Sequence, residues 1–297
     1  MCWFSVFDYP VTSFEVWKWL LEPDRAYELA QVVRVLENSV WLRERIQNTR
    51  GFYLVKDNPS PNSCVADRRE KFLDATRKFT KLRRASIYFS MLPGVRSVSA
   101  VNTLAWWHTS RTSDIDLFIV TKPGFIWSSR FFLVFPFALM GRRPDHNAST
   151  STSTDDPFCF SFFVTKTHLQ MESLKCTQKD YYLAFWSKSI VPMFDKDENV
   201  DAFEQVNKWA SVILPNARIR SQHHTHRAMR PFGLPIQLGF LEPIFRSVQQ
   251  KRLPAHLVEL ANKDTRVVVS DDILKFHEND RRELFMKRYQ ETVNRYL

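Results

Sequence analysis

Two aspartates, Asp114 and Asp116, open an apolar run in the segment "NTLAWWHTSRTSDIDLFIVTK", residues 102–122. Leu117 to Val120 read as a buried strand, and residues i and i+2 of a strand share a face. Both carboxylates therefore point one way, while Ile115 and Leu117 point into a core. An ionised carboxylate is costly to bury without a partner, and two on one face also repel each other. The spacing suits a hard divalent cation such as Mg2+, which takes carboxylate oxygens together with phosphate oxygens of a ligand. A cation held there would neutralise a nucleoside triphosphate and stabilise in-line displacement at phosphorus. The alternative is a pair of strand-edge aspartates with no such role.

The elements around the pair follow from local pattern. "VRSVSAV" before it reads as a strand. The small-residue turn Asn102-Thr103-Leu104-Ala105 lies eleven residues upstream of Ser113, which directly precedes the pair. After the motif strand come a "KPG" turn and a helix over 126–140, and "FCFSFFVT" (158–165) reads as a further strand. Residues 142–157 form a polar, low-complexity loop. Residues 179–213 read as helical, interrupted near "VPMFDKDE", and 216–297 as basic and mostly helical with a short "RVVVS" strand.

Upstream, residues 1–58 give a helix capped at Thr12 or Ser13, a second helix over about 26–38, and two short strands around "NTRG". That is the order of a winged helix. "KDNPSPNS" reads as a linker, and the next segment as a long amphipathic helix ended by Pro93 and Gly94. The chain thus divides into a winged-helix-like domain (1–58), a linker and amphipathic helix (59–95), a domain carrying the aspartate pair (96–215) and a basic C-terminal region (216–297). The fold class is α+β, a small mixed sheet flanked by helices. A chain lacking residues 1–58 is expected to keep ligand binding.

Composition narrows the function classes. Six glycines in 297 residues argue against a glycine-rich dinucleotide loop, and neither GxGxxG nor GxxxxGK[ST] occurs. The four cysteines are scattered without a CxxC pair, which fits a reducing cytoplasm rather than a disulfide framework. The N-terminus lacks the pattern of a secretory signal, and the most apolar run, "FFLVFPFALMG", is too short to span a bilayer. A net charge of +10 suits an anionic partner. It is concentrated in 67–84, with eight Lys/Arg against three acids, and in 216–252, with seven against one.

The segment around the pair resembles the polymerase-beta-type nucleotidyltransferase superfamily. Its motif is a Gly-Ser turn, about ten residues, then Asp-x-Asp or Asp-x-Glu on a strand. Nearly the whole chain is similar to uncharacterised bacterial nucleotidyltransferase-domain proteins with an N-terminal winged helix. The resemblance rests on "FDYPVT" at 7–12, on "SDIDLFIVT" followed by Phe125, Ile126, Trp127 and Arg130, and on "LKFHENDRR" at 274–282. It implies that Asp114 and Asp116 bind Mg2+ and act in catalysis. It also implies that Asn102 and Thr103 hold the Gly-Ser position against a triphosphate, with Ser113 and Arg130 near the phosphates. The reaction implied is transfer of a nucleoside monophosphate to an unknown acceptor hydroxyl.

The chain departs from the motif twice. Asn102 stands where a glycine is usual, although Asn tolerates positive φ better than most residues. The third carboxylate that activates the acceptor is missing from "FCFSFFVT", which carries Ser161; Asp155 and Asp156 precede that strand. A degenerate nucleotide-binding module, coupled to nucleic acid or protein through the winged helix, is therefore the alternative function.

Other features carry two readings each. Arg43, Arg45, Arg50 and Lys56 of the hairpin offer phosphate contacts to nucleic acid, against a purely packing role for this domain. The basic residues of 68–84 fit a solvated helix face as well as an anion surface. "HHTH" at 223–226 reads as a surface tract rather than a metal site. Arg130 suits either a phosphate or a structural ion pair, and His277 stays open.

Overall fold

The computed structural model describes residues 1–56, 60–141, 156–219 and 239–296. The first segment holds α1 (Cys2–Ser5), β1 (Val11–Thr12), α2 (Ser13–Lys18), α3 (Leu29–Asn38), α4 (Val40–Arg43), β2 (Ile46–Thr49) and β3 (Phe52–Val55). Thr12 caps α2 reciprocally: its hydroxyl accepts from Glu15 N–H, while the Glu15 carboxylate accepts from Thr12 N–H. Arg50 and Gly51 both take positive φ, 54° and 83°, as a two-residue hairpin turn requires, and Thr49 pairs with Phe52 across it. The three strands form an antiparallel sheet in the order β1-β3-β2.

Then comes α5 (Pro61–Met91), 31 residues long, with proline in its first turn, where a missing N–H costs nothing. It leads to β4 (Val95–Ala100), α6 (Asn102–Ala105), β5 (Ile115–Thr121), α7 (Ile126–Leu139) and β6 (Phe158–Thr165). Next are α8 (Tyr181–Ser189), β7 (Val191–Asp195), α9 (Asn199–Val206) and α10 (Lys208–Ile213). The last described segment holds α11 (Glu242–Lys251), α12 (Ala255–Leu260), β8 (Val267–Val269), β9 (Ile273–Phe276) and α13 (Arg282–Tyr296).

The protein is mixed α+β, with a six-stranded sheet in the order β7-β4-β5-β6-β9-β8. Its central pair, β5 and β6, is parallel and joined across α7, and the other pairings are antiparallel. Buried on both faces, β5 is almost continuously apolar after Asp116, as such strands are. Ile115, Leu117 and Ile119 face α5 and α7 through Phe79, Leu82, Leu133 and Phe137. Phe118 and Val120 face the other way, onto Trp186 of α8 and Phe203 of α9.

The sheet extends beyond 96–215, since β8 and β9 of the C-terminal region complete it. "VPMF", the presumed break in a helix, is the edge strand β7. Pro192 is tolerated there because an edge position spares its missing N–H. The N-terminal segment shares a core with the rest: Trp3, Tyr9, Trp19 and Leu36 pack with Phe185 of α8 and Ala210 and Ile213 of α10. No helix among the described residues is long and apolar enough to cross a membrane.

Candidate metal and phosphate site

Asp116 is the first polar side chain of β5 on the α8 face, and Asp114 lies on the loop just before the strand. The β6 residue in register with Asp116 is Cys159. One ligand atom from each of Asp114, Asp116 and Cys159 can be chosen so that all lie within 4.8 Å of one another. The three side chains are half-buried. Burial pushes the Asp116 carboxyl up, against hydrogen bonds from Asn102 and Cys159 and the charge of Lys78. Burial also raises the Cys159 thiol well above its ordinary value, and the Asp116 charge adds to this. Two close carboxylates in a partly desolvated setting are a donor set that fits a divalent cation, with the thiol at the third corner.

A bulge reshapes the strand beside them. Asp116 pairs with Cys159 but Phe118 pairs with Phe162, so β6 carries one residue more than β5 over this stretch. Such a bulge bends the strand and re-aims a side chain. Ser161 is half-buried; its Oγ lies 3.3 Å from Cys159 Sγ and 2.9 Å from His277 Nε2. His277 directly follows β9, its N–H donates to Arg266 O at 3.0 Å, and its ring meets Phe162 edge-on. Burial pushes the imidazole down to about 3, with Lys275 and Arg282 adding to the shift and Asp280 opposing it. His277 is therefore neutral at physiological pH. Tyr182 of α8 borders the same space; its phenol is pushed up to about 12 by burial and then by the charge of Asp116.

Asn102 has φ of 54°, the left-handed conformation that a glycine would otherwise supply. Its side chain donates to Asp116, so it closes on the carboxylate pair. Thr103 is exposed beside it, and its carbonyl accepts from His108 N–H at 2.9 Å. Ser113 Oγ instead accepts from Ser110 N–H at 2.9 Å, which closes the loop before Asp114. Arg130 sits on α7, which packs on the sheet face opposite the carboxylates. Its guanidinium donates to Gln249 of α11 at 2.7 Å and lies over the Phe276 ring, so the structure does not bring it to the pair.

Asp156 is buried, and Arg77 and Lys81 of α5 bind it. Burial raises its carboxyl, but those hydrogen bonds outweigh this and hold it low. Asp156 thus anchors α5 rather than supplying a third acid to the pair. Asp155 and the histidines of 223–226 lie outside the described residues.

Sequence reasoning missed Lys78. Fully buried on α5, its Nζ donates to the carbonyls of Ser110 and Ser113, 2.5 Å to each, and lies 3.3 Å from Asp74 and 3.6 Å from Asp156. It therefore fixes the loop that aims Asp114. A lysine in a long basic helix looks like its neighbours, so nothing in the pattern singled it out. Cys159 and Ser161 did carry a signal: they alternate with Phe158 and Phe160, which places the two polar side chains on one face.

No protein-family model matches the chain, and neither does any curated protein or solved structure.

Proposed function

We propose that the protein is nucleotidyltransferase-like: it binds a nucleoside triphosphate with Mg2+ and moves its nucleoside monophosphate to a hydroxyl acceptor. The observation that supports this is the Asp114/Asp116 pair at the mouth of a central strand, beside a left-handed turn at Asn102. Asp114 and Asp116 would hold the cation, which when bound neutralises phosphate charge. The exposed α6 turn, with the Thr103 hydroxyl, would meet the phosphates. Most of the rate would come from positioning and fixed electrostatics. Residues 1–55 fit a winged helix in element order and sheet topology. Its basic side chains favour packing over nucleic acid, since Arg43, Arg45 and Lys56 each bond to backbone carbonyls of the protein.

One observation favours binding without turnover. The residue in register with Asp116 is a thiol, where an acid would activate the acceptor. Calorimetry separates the readings from an error of site. Triphosphate should bind in Mg2+ and not in EDTA, and the joint change Asp114→Ala and Asp116→Ala should abolish binding while the fold persists. Equal affinity in both proteins would refute the site.

A further inference from the structure

Ser161 and His277 are unused groups that adjoin the carboxylates through Cys159. We propose that Ser161 is itself a nucleotidyl acceptor, with His277 as its base, so that the protein modifies its own β6 strand. This rests on triphosphate binding at Asp114 and Asp116. A hydroxyl within hydrogen-bond reach of a neutral imidazole nitrogen is the arrangement of a nucleophile beside its proton acceptor, and Ser161 Oγ lies 2.9 Å from His277 Nε2. With the imidazole protonated on Nδ1, Nε2 can accept the Ser161 hydroxyl proton, and Cys159 Sγ lies 3.3 Å from the same Oγ.

The position is as telling as the pair. Cys159, the β6 residue closest to the carboxylates, is the side chain that Ser161 touches. Alternation along β6 puts Ser161 on the face of Cys159, away from the phenylalanine core of Phe158 and Phe160. Ser161 and His277 are both half-buried. Lys275 and Arg282 lie on the C-terminal side of the site and Tyr182 on α8 borders it. Lys275 Nζ is bonded to Thr265 O, and Arg282 to Asp180 and Asp280. His277 Nε2 is thus the nitrogen facing the hydroxyl.

In the proposed step, Ser161 Oγ attacks the α-phosphorus. The Oγ–P bond forms as the bond from that phosphorus to the bridging oxygen of the β-phosphate breaks. His277 Nε2 takes the hydroxyl proton and pyrophosphate leaves. The product is a phosphodiester between Ser161 and the nucleoside, and no oxidant or further reactant is needed. General bases contribute roughly 10²–10⁴-fold, and His277, whose basicity burial depresses, belongs at the low end of that range.

The test incubates the full chain with each common ribonucleoside triphosphate and Mg2+, and reads intact mass, peptide mapping and calorimetric affinity. The expected result is one nucleoside monophosphate adduct, mapped to Ser161. Ser161→Ala should abolish it and His277→Gln should slow it about 100-fold or more, with triphosphate affinity unchanged in both. Ser161→Thr keeps a hydroxyl and should retain labelling at that position, which guards against a folding artefact. Triphosphate binding with no adduct, or an adduct elsewhere that survives Ser161→Ala, overturns the proposal and leaves the binding site standing. Absence of binding overturns the site itself.

Discussion

His108 and His277 are both kept neutral by burial, and that makes the fold sensitive to acid. Burial holds His108 down at about 4, helped by Lys71, whose Nζ lies 3.0 Å from its Nε2, and by Arg68. His277 is held at about 3. Unfolded, each would titrate near 6.5. Between that value and the folded one, the unfolded chain binds more protons than the native one. Stability therefore falls as pH drops from about 6.5 and levels off only near 4 and 3. We predict a loss of roughly 3 kcal/mol per histidine between pH 7 and pH 4. Denaturant midpoints measured across this range should flatten in a protein carrying His108→Gln and His277→Gln. An unchanged slope would mean that both imidazoles are charged in the native state.

The loop before β5 is held by α5, and this gives a prediction about an element rather than a ligand. Lys78→Met leaves the carbonyls of Ser110 and Ser113 without their donor and removes a cation from the pocket of Asp74 and Asp156. We expect about 3 kcal/mol of lost stability, typical of breaking a buried ion pair from one side. We also expect weaker divalent-cation binding, although Lys78 is not a ligand. Calorimetric cation titrations with unaltered affinity would show that the loop aims Asp114 unaided. Local pattern announced β4, β5, β6, α7 and the Asn102 turn, because apolar period and turn chemistry are written within a few residues. β7 stayed hidden because "VPMF" is short and follows a helix without punctuation. β9 stayed hidden because four residues inside a basic segment become a strand only by pairing with β6. His277 reached the site by that same pairing, so its role was illegible for the same reason.

The segment 1–58 is legible as a unit by order, but the whole molecule does not treat it as one. Trp3 stacks on Phe185 with centroids 4.8 Å apart, Trp19 lies 4.7 Å from Trp106, and Glu22 N–H donates to Ile213 O at 2.8 Å. Removing residues 1–58 would uncover Phe185 and Ile213 and take Trp106, which follows the α6 turn, out of its packing. Against the expectation from sequence, we predict that the shortened chain loses cooperative unfolding and triphosphate binding together. The full chain should unfold in one transition by tryptophan fluorescence and circular dichroism. A soluble, ligand-binding remainder of 59–297 would show that the shared core is dispensable. The basic run of 67–84 is likewise partly internal, since Arg68, Arg77, Lys78 and Lys81 are paired with carboxylates of the protein.

The pairing of β6 with β9 also has a consequence in time. The residues of β6 leave the ribosome long before Ile273–Phe276 are made. At roughly 5–20 residues per second, that edge waits on the order of ten seconds for its neighbour. During that interval a phenylalanine-rich strand is open to pairing with another nascent chain. The same delay withholds the imidazole. A half-made chain already carries Asp114, Asp116 and Ser161 but has nothing to take the serine's proton. Under the proposal above, the protein cannot label itself until His277 has been made and β9 has paired with β6.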